Sequence, residues 1–263
     1  MRAAGSIPGS VATRDLDADP SVESAGVDAG SMAAGSIAEH VAAVRAAIAA
    51  ACGRAGREPA EVTLVAASKA QPAERLREAW EAGVRVFGEN RVQEAAAKRA
   101  ALPPGAEWHL LGPLQSNKTR AALELFGTLH ALDRPKIFHA VAAEAARRGA
   151  RVDVFAEVNV GEEASKHGFA PAGLAAAFEP LARLPGLRLV GLMAIPPFEE
   201  DPEGSRRWFA RLRALRDELA ARPGWESFPG WLSMGMSHDF AVAVEEGATH
   251  VRVGTALFGE RGG

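Results

Sequence analysis

The chain has 263 residues, of which 48% are hydrophobic, and a formal net charge of −3 at pH 7. This length is sufficient for one large domain with a single core, and the near-neutral charge gives no electrostatic reason to expect nucleic-acid or membrane-surface binding. The single cysteine excludes an intramolecular disulfide, no apolar run reaches the roughly 18–20 residues of a spanning helix, and no secretory signal is recognisable. We therefore expect a cytoplasmic protein without nucleic-acid or membrane partners.

The first predicted helix follows a segment of low complexity. Residues 1–35 are rich in Ala, Gly, Ser and Asp and have no periodic apolar face, so we interpret them as a disordered extension. Ser36 and Glu39 then form the capping-box pattern S-x-x-E, and apolar residues recur at helical spacing until Gly53. Residues 36–263 are predicted to form one domain.

Beyond Gly53, strand-like and helical segments alternate along the chain. The strand-like segments are Val62–Ser68, VRVF, Glu107–Leu111, TLHAL, VDVFAEVN, LRLVGLM, WLSM and THVRVG. The first helical segment carries Leu76 and Trp80, and the second begins near Val92. The others cover about Asn117–Phe126, Lys136–Arg148, Gly173–Leu184, Glu203–Ala221, His238–Glu246 and TALFG.

This alternation predicts a parallel sheet, because strands separated by helix-length connections pair in parallel. Eight such units predict an α/β protein with a (β/α)8 barrel and one extra N-terminal helix. An open, doubly wound sheet is the alternative. The absence of the dinucleotide-binding pattern G-x-G-x-x-G disfavours it.

Lys69 is the first candidate for chemistry. It closes the apolar run LVAASKAQP, where Thr63, Val65, Ala67 and Lys69 share one face by the two-residue period of a strand. If that face points inward, Lys69 emerges at the carboxyl edge of the barrel, where active sites of such barrels lie. In apolar surroundings its pKa should fall, which would leave more free amine to attack an aldehyde. A solvent-exposed lysine just past the strand end is the equally open alternative.

Two loops near the C-terminus have the composition of a phosphate site. Barrels frequently bind phosphate with the loops after strands seven and eight, where glycines allow close backbone approach and hydroxyls can donate. The candidates in these loops are Ser233, Met234, Gly235, Gly254 and Thr255. We expect Ser237 to cap the helix that follows. Ordinary turn glycines and helix caps are the alternative interpretation of both loops.

Further candidates lie at other strand ends. Arg252 shares a strand face with His250 and Gly254, so inward orientation would bury a guanidinium that needs either a salt bridge or a ring nitrogen as acceptor. Asn90 and Met193 end the second and sixth strands, with turn capping and core packing as the alternatives. Neither an HExxH nor a paired-cysteine pattern occurs in the sequence, so we predict no metal.

Six stretches together resemble one known family, the pyridoxal-phosphate-binding homeostasis proteins, which are also described as YggS-like or PROSC-like. The stretches are LVAASKAQP, FGENRVQE, WHLLGPLQSNK, LMAIPP, LSMGMSHDF and VRVGTALFG, and they span about residues 60–260 in the order and spacing of the family. The resemblance implies a fold-type III barrel, like the N-terminal domain of alanine racemase, with pyridoxal 5′-phosphate (PLP) held as a Schiff base on Lys69. It also places the phosphate near Ser233, Met234, Gly235, Gly254 and Thr255. Arg91 stands where relatives often carry tyrosine.

The resemblance also implies that Arg252 lies at the pyridine nitrogen. An arginine does not readily give up a proton, so it would leave the ring unprotonated and a poorer electron sink than a carboxylate partner would. The implied function is PLP (vitamin B6) and amino/keto-acid homeostasis without robust turnover, by a monomer whose partners include PLP-dependent apo-enzymes.

Two enzymatic alternatives are a PLP-dependent amino-acid racemase or decarboxylase, and a Schiff-base aldolase without a cofactor. The alanine-racemase route needs a tyrosine from a second domain as its second proton-transfer group. The sequence contains no tyrosine, and we expect it to end just after strand eight. A cofactor-free aldolase would not explain why Arg252 and the two phosphate-type loops occur together. The sequence therefore favours a carrier.

Overall fold

The computed structural model describes residues 35–259, which contain a closed barrel of eight parallel strands. The strands follow one another around the barrel in chain order, and the last strand pairs with the first. The predicted (β/α)8 barrel is therefore confirmed, and the open doubly wound sheet is excluded. Except for Gly35, the predicted disordered extension lies outside the described residues.

Each strand precedes a helix, as the sequence pattern predicts. The strands are β1 (Thr63–Ala67), β2 (Val86–Glu89), β3 (Glu107–Leu110), β4 (Thr128–Leu132), β5 (Val152–Glu157), β6 (Leu187–Met193), β7 (Trp231–Met236) and β8 (His250–Val253). The helices are α1 (Ile37–Arg54), α2 (Ala73–Glu81), α3 (Val92–Arg99), α4 (Thr119–Leu125), α5 (Pro135–Arg147), α6 (Leu174–Ala182), α7 (Arg206–Ala220), α8 (Phe240–Glu245) and α9 (Thr255–Phe258).

The extra helix α1 begins where the capping box predicts. The backbone N–H of Glu39 donates to Ser36 Oγ at 3.3 Å, and the backbone N–H of Ser36 donates to Glu39 Oε2 at 2.7 Å. These two bonds satisfy backbone donors that a helix start otherwise leaves without partners. The buried face of α1 joins the apolar core outside the barrel.

Strand residues alternate between this outer core and the barrel interior. Val65 of β1 belongs to a separate interior cluster with Val86 and Leu111, and Ala67 packs against the same cluster. The face of β1 that carries Val65 and Ala67 therefore points inward, which is the condition on which the interpretation of Lys69 depended. Its continuation past the end of β1 leads to the carboxyl edge of the barrel. No helix within residues 35–259 is both long and apolar enough to span a membrane.

Candidate functional site

Lys69 lies in the turn directly after β1, at the carboxyl edge of the barrel. Ala67 pairs with Gly88 of β2, so Lys69 and Asn90 each lie two residues beyond one register pair, and both are exposed. The apolar surroundings expected for Lys69 are not found. The strand has already ended at Ala67, and the chain turns at Ala70, whose φ is 59°.

Helix α3 holds both peptide groups that flank Lys69. Lys98 Nζ donates to the carbonyl oxygen of Ser68 at 2.8 Å, and the backbone N–H of Ala70 donates to Glu94 Oε2 at 3.4 Å. Glu94 and Lys98 are one helical turn apart, so they act from the same face of α3. The backbone of Lys69 is thereby fixed on both sides, while its side chain stays accessible.

Lys98 differs from Lys69 because its ammonium is already paired. It lies 2.7 Å from Glu89 Oε1, with side-chain exposures of 12% for Lys98 and 0% for Glu89. The hydroxyl of Ser68 donates to the same carboxylate oxygen at 2.7 Å. Lys98 therefore has a structural role, whereas Lys69 is an exposed amine at this edge.

Arg252 is a buried cation on β8, with 6% of its surface exposed. Its Nη1 donates to Ser233 Oγ at 2.7 Å and its Nη2 to the carbonyl oxygen of Ala194 at 3.0 Å. Burial lowers the pKa of Arg252 to about 10, against the opposing effect of the carboxylates of Asp239 and Glu157, so the guanidinium remains charged at neutral pH. Within residues 35–259 it forms no ion pair, so the salt-bridge alternative is not found.

Two residues that the resemblance places near the phosphate have side chains on opposite faces of β7. Ser233 is fully buried in the barrel interior, where its hydroxyl contacts Arg252 and His130. The side chain of Met234 points the other way, into the outer apolar core. The alternation of β7 explains both orientations, since consecutive residues of a strand face opposite sides. Met193 belongs to the interior cluster, as its core-packing alternative predicts.

The loops after β7 and β8 approach each other and the end of β1. A Cβ on Gly254 would lie 3.2 Å from the carbonyl oxygen of Ala67, two residues before Lys69. Gly235 has φ 88°, and a Cβ there would lie 2.5 Å from Ala243 Cβ on α8. Glycine therefore allows close packing at Gly235, near the end of β7, and at Gly254, directly after β8. Thr255, at the start of α9, is exposed.

Ser237 does not cap the next helix as expected. Its Oγ accepts from the backbone N–H groups of Gly254 and Ala256 at 3.1 and 3.2 Å, and Asp239 occupies the cap position of α8. The two amides at the start of α9 have no partners within that helix, which makes them strong competitors for the hydroxyl. Ser237 therefore ties the β7 loop to the β8 loop.

Sequence reasoning missed His130 and the group formed by Ser68, Glu89 and Lys98. The two-residue period of the strand TLHAL could have indicated that His130 points into the barrel, because Thr128 and His130 share one face of that strand. The partners of Glu89 come from different elements, so no local pattern indicates them. Within residues 35–259, no group of three or more His, Cys, Asp or Glu side chains could hold a metal ion.

Comparison with known proteins agrees with this geometry. A family model described as "Alanine racemase, N-terminal domain" matches residues 40–262. A pyridoxal phosphate homeostasis protein from Aquifex aeolicus is 47% identical over 212 residues, which are 80% of this chain and 92% of that protein. The chain belongs to this family of pyridoxal phosphate homeostasis proteins. Another member, from Pseudomonas aeruginosa, is 47% identical over 226 residues, or 86% of this chain and 96% of that protein.

Solved structures show the same relationship. PipY of Synechococcus elongatus PCC7942, determined with PLP bound, has a TM-score of 0.74 and 39% identity, and the match covers 85% of this chain and all of that one (100%). An alanine racemase from Clostridium difficile 630 has a TM-score of 0.61 at 15% identity, covering 77% of this chain and 53% of that chain. At that identity the second match shows the shared fold alone.

Proposed function

We propose that this protein binds PLP covalently through Lys69 and serves intracellular PLP (vitamin B6) and amino/keto-acid homeostasis as a carrier, without robust turnover of its own. The names of the relatives and the PLP-bound PipY structure support this function. The observation that carries it in this chain is Arg252. This buried guanidinium has no ion-pair partner in residues 35–259, and it lies on β8 in register with Val65 of β1, the strand that leads to Lys69.

The chemistry of Arg252 suits a pyridine nitrogen. A guanidinium is a donor only, and an unprotonated ring nitrogen is a neutral acceptor. PLP, when bound, supplies an aldehyde and an electron-poor ring. Arg252 would hold that ring at its nitrogen without protonating it, which weakens its use as an electron sink. This supports binding over catalysis.

The loops after β7 and β8 suit the phosphate. The amides of Gly254 and Ala256 converge on one hydroxyl oxygen, as donors to a phosphate oxygen would. In the proposed site, Thr255 adds a hydroxyl, while Gly235 and the backbone of Met234 shape the end of β7. Ser233 acts through Arg252.

The remaining members of the proposed site surround the ring. Asn90 lies beside Lys69 at the strand edge and offers an amide to a ring substituent. Met193 pairs with Ser233 in the β6–β7 register and gives an apolar surface below Arg252. These assignments keep the cofactor between the ends of β1, β2, β7 and β8.

We extend the proposal to organisation and partners. Residues 36–263 form one domain that acts as a cytoplasmic monomer and exchanges PLP with PLP-dependent apo-enzymes. Support for a monomer comes from the barrel, which closes within Thr63–Val253 without a strand from another chain. The net charge of −3 supports the expectation that nucleic acid is not a partner.

The test compares PLP retention by the wild type and by Lys69→Ala. We expect the visible absorbance of lysine-bound PLP to survive dialysis in the wild type and to be lost in Lys69→Ala. Lys136→Ala is the matched control, because Lys136 is also exposed. Equal retention by Lys69→Ala would contradict the assignment. Robust amino-acid racemase or decarboxylase turnover by the wild type would favour the enzymatic alternative.

A further inference from the structure

A continuous chain of hydrogen bonds runs through the barrel interior beneath Arg252. Arg252 Nη1 lies 2.7 Å from Ser233 Oγ, which lies 2.7 Å from His130 Nδ1. His130 Nε2 in turn lies 3.0 Å from His109 Nδ1. Exposures are 6% for Arg252, 0% for Ser233 and His130, and 5% for His109. These hydrogen bonds therefore run from the proposed ring contact into the buried interior of the barrel.

The histidines that take part in these interior hydrogen bonds, His130 and His109, are neutral at neutral pH. Burial lowers the pKa of His109 to about 4. Burial and the positive charge of neighbouring groups, Arg252 among them, lower the pKa of His130 well below its ordinary value. His250 packs against His130 with ring centroids 5.8 Å apart, and burial lowers its pKa to about 3. A neutral imidazole has one donor nitrogen and one acceptor nitrogen, so each ring can extend the chain in one direction only.

Arg252 fixes that direction. A guanidinium only donates, so Ser233 Oγ must accept from it. The hydroxyl proton of Ser233 then goes to His130 Nδ1, the other partner of this oxygen within the described residues. His130 consequently carries its proton on Nε2 and donates to His109 Nδ1. His109 carries its own proton on Nε2.

We propose that Ser233, His130 and His109 are positioning residues that hold the guanidinium of Arg252 as the ring-nitrogen donor. The inference rests on the proposed binding of PLP. Arg252 has a long, flexible stem, and the carboxylates of Asp239 and Glu157 are close enough to influence it without forming an ion pair. The neutral hydrogen-bonded residues supply a buried acceptor, Ser233 Oγ, in place of a carboxylate. The guanidinium is thereby kept available to a neutral acceptor at the mouth of the barrel.

A packing role is the competing explanation. The ring of His130 stacks on Phe155 with centroids 4.5 Å apart and planes inclined by 28°. Two substitutions separate the explanations. His130→Phe keeps an aromatic ring against Phe155 but removes both hydrogen bonds. His130→Asn loses the ring but keeps an amide oxygen that can accept from the Ser233 hydroxyl.

The first measurement uses the ligand-free wild type. Nitrogen-15 NMR of the histidine side chains should show His130 and His109 as neutral Nε2–H tautomers at pH 7. A proton on Nδ1 of either ring would reverse the chain and overturn the inference. This result does not depend on PLP, so it tests the hydrogen bonds separately from the proposed function.

The second measurement is the rate of PLP release to a trapping apo-enzyme. Either substitution interrupts the acceptor chain behind Arg252, so we expect release to be roughly tenfold faster in His130→Phe and in Ser233→Ala. His130→Asn should stay closer to the wild type than His130→Phe does. Ser205→Ala is the control, because Ser205 is a buried serine outside the site, at the start of α7.

The outcomes distinguish the two proposals. Faster release from His130→Asn than from His130→Phe, or unchanged release from His130→Phe and Ser233→Ala, would assign the histidine to packing and overturn the positioning role alone. A wild type that binds no PLP would overturn the proposed function and the positioning role together. Urea denaturation of every variant identifies effects that come from unfolding.

Discussion

The ion pair behind Lys69 offers a quantitative test of the structure. Glu89 is fully buried, and its Oε1 accepts from Lys98 and from the Ser68 hydroxyl, while its Oε2 has no hydrogen-bond partner among residues 35–259. Lys98→Met removes the compensating charge at similar side-chain volume and leaves a carboxylate in the protein interior. Removing one partner of a buried pair costs about 3–5 kcal/mol. Because Lys98 is 12% exposed, we take the lower value, about 3 kcal/mol.

Urea unfolding at pH 7 measures this loss. With an m-value of about 3 kcal/mol per molar urea for a chain of this size, the midpoint should fall by about 1 M. The double variant Glu89→Gln/Lys98→Met removes both charges, so it should recover most of the stability, to within about 1 kcal/mol of the wild type. Lys136→Met, at an exposed lysine, should stay within about 0.5 kcal/mol. An unchanged midpoint for Lys98→Met, or a double variant less stable than it, would refute the reasoning.

Three further predictions concern pH, the β7 loop and the phosphate cradle. Burial holds the pKa of His250 at about 3, below the unfolded value of 6.5, so the folded state binds fewer protons than the unfolded state between these pH values. The contribution of His250 to the free energy of unfolding is therefore complete above pH 6.5 and falls by about 1.4 kcal/mol per pH unit toward pH 3. The urea midpoint should therefore decline below pH 6.5, less steeply in His250→Gln, and identical slopes would count against this origin. Gly235→Ala should lower the free energy of urea unfolding by about 2–3 kcal/mol, because the added Cβ would lie 2.5 Å from Ala243 Cβ and the backbone has φ 88°. Gly56→Ala shares the positive φ (64°) but meets nothing within 4 Å, so it should cost only about 1 kcal/mol, and equal losses would dismiss the clash. Ser237→Ala removes the two bonds that tie the loop after β7 to the loop after β8. The two loops then lose their fixed approach, so PLP binding should weaken in a spectroscopic titration; an unchanged dissociation constant would remove Ser237 from the proposed phosphate site.

The fold could be predicted because its signals are local. The apolar period of each strand and the helix-length connections predict the barrel, and the two-residue period of β1 correctly orients Val65 and Ala67 inward. The same period could have placed Ser233 inward beside Arg252.

The parts of the site that depend on contacts between distant elements could not be predicted. The exposure of Lys69 follows from the end of β1 and from the bonds that α3 makes to Ser68 and Ala70. Ser237 turns away from its own helix because two amides from the next loop compete for its hydroxyl. Likewise, the hydrogen bonds of His130 are made to His109 on β3 and to Ser233 on β7, which are distant in the sequence.

The covalent position of PLP tests the central claim most directly. The protein is loaded with PLP, reduced with borohydride, digested and analysed by peptide mass spectrometry. We predict one modified peptide with the pyridoxyl group on Lys69, because that amine is exposed at the carboxyl edge while Lys98 is ion-paired. Modification of Lys98 or of another lysine instead, or no modification, would contradict the account.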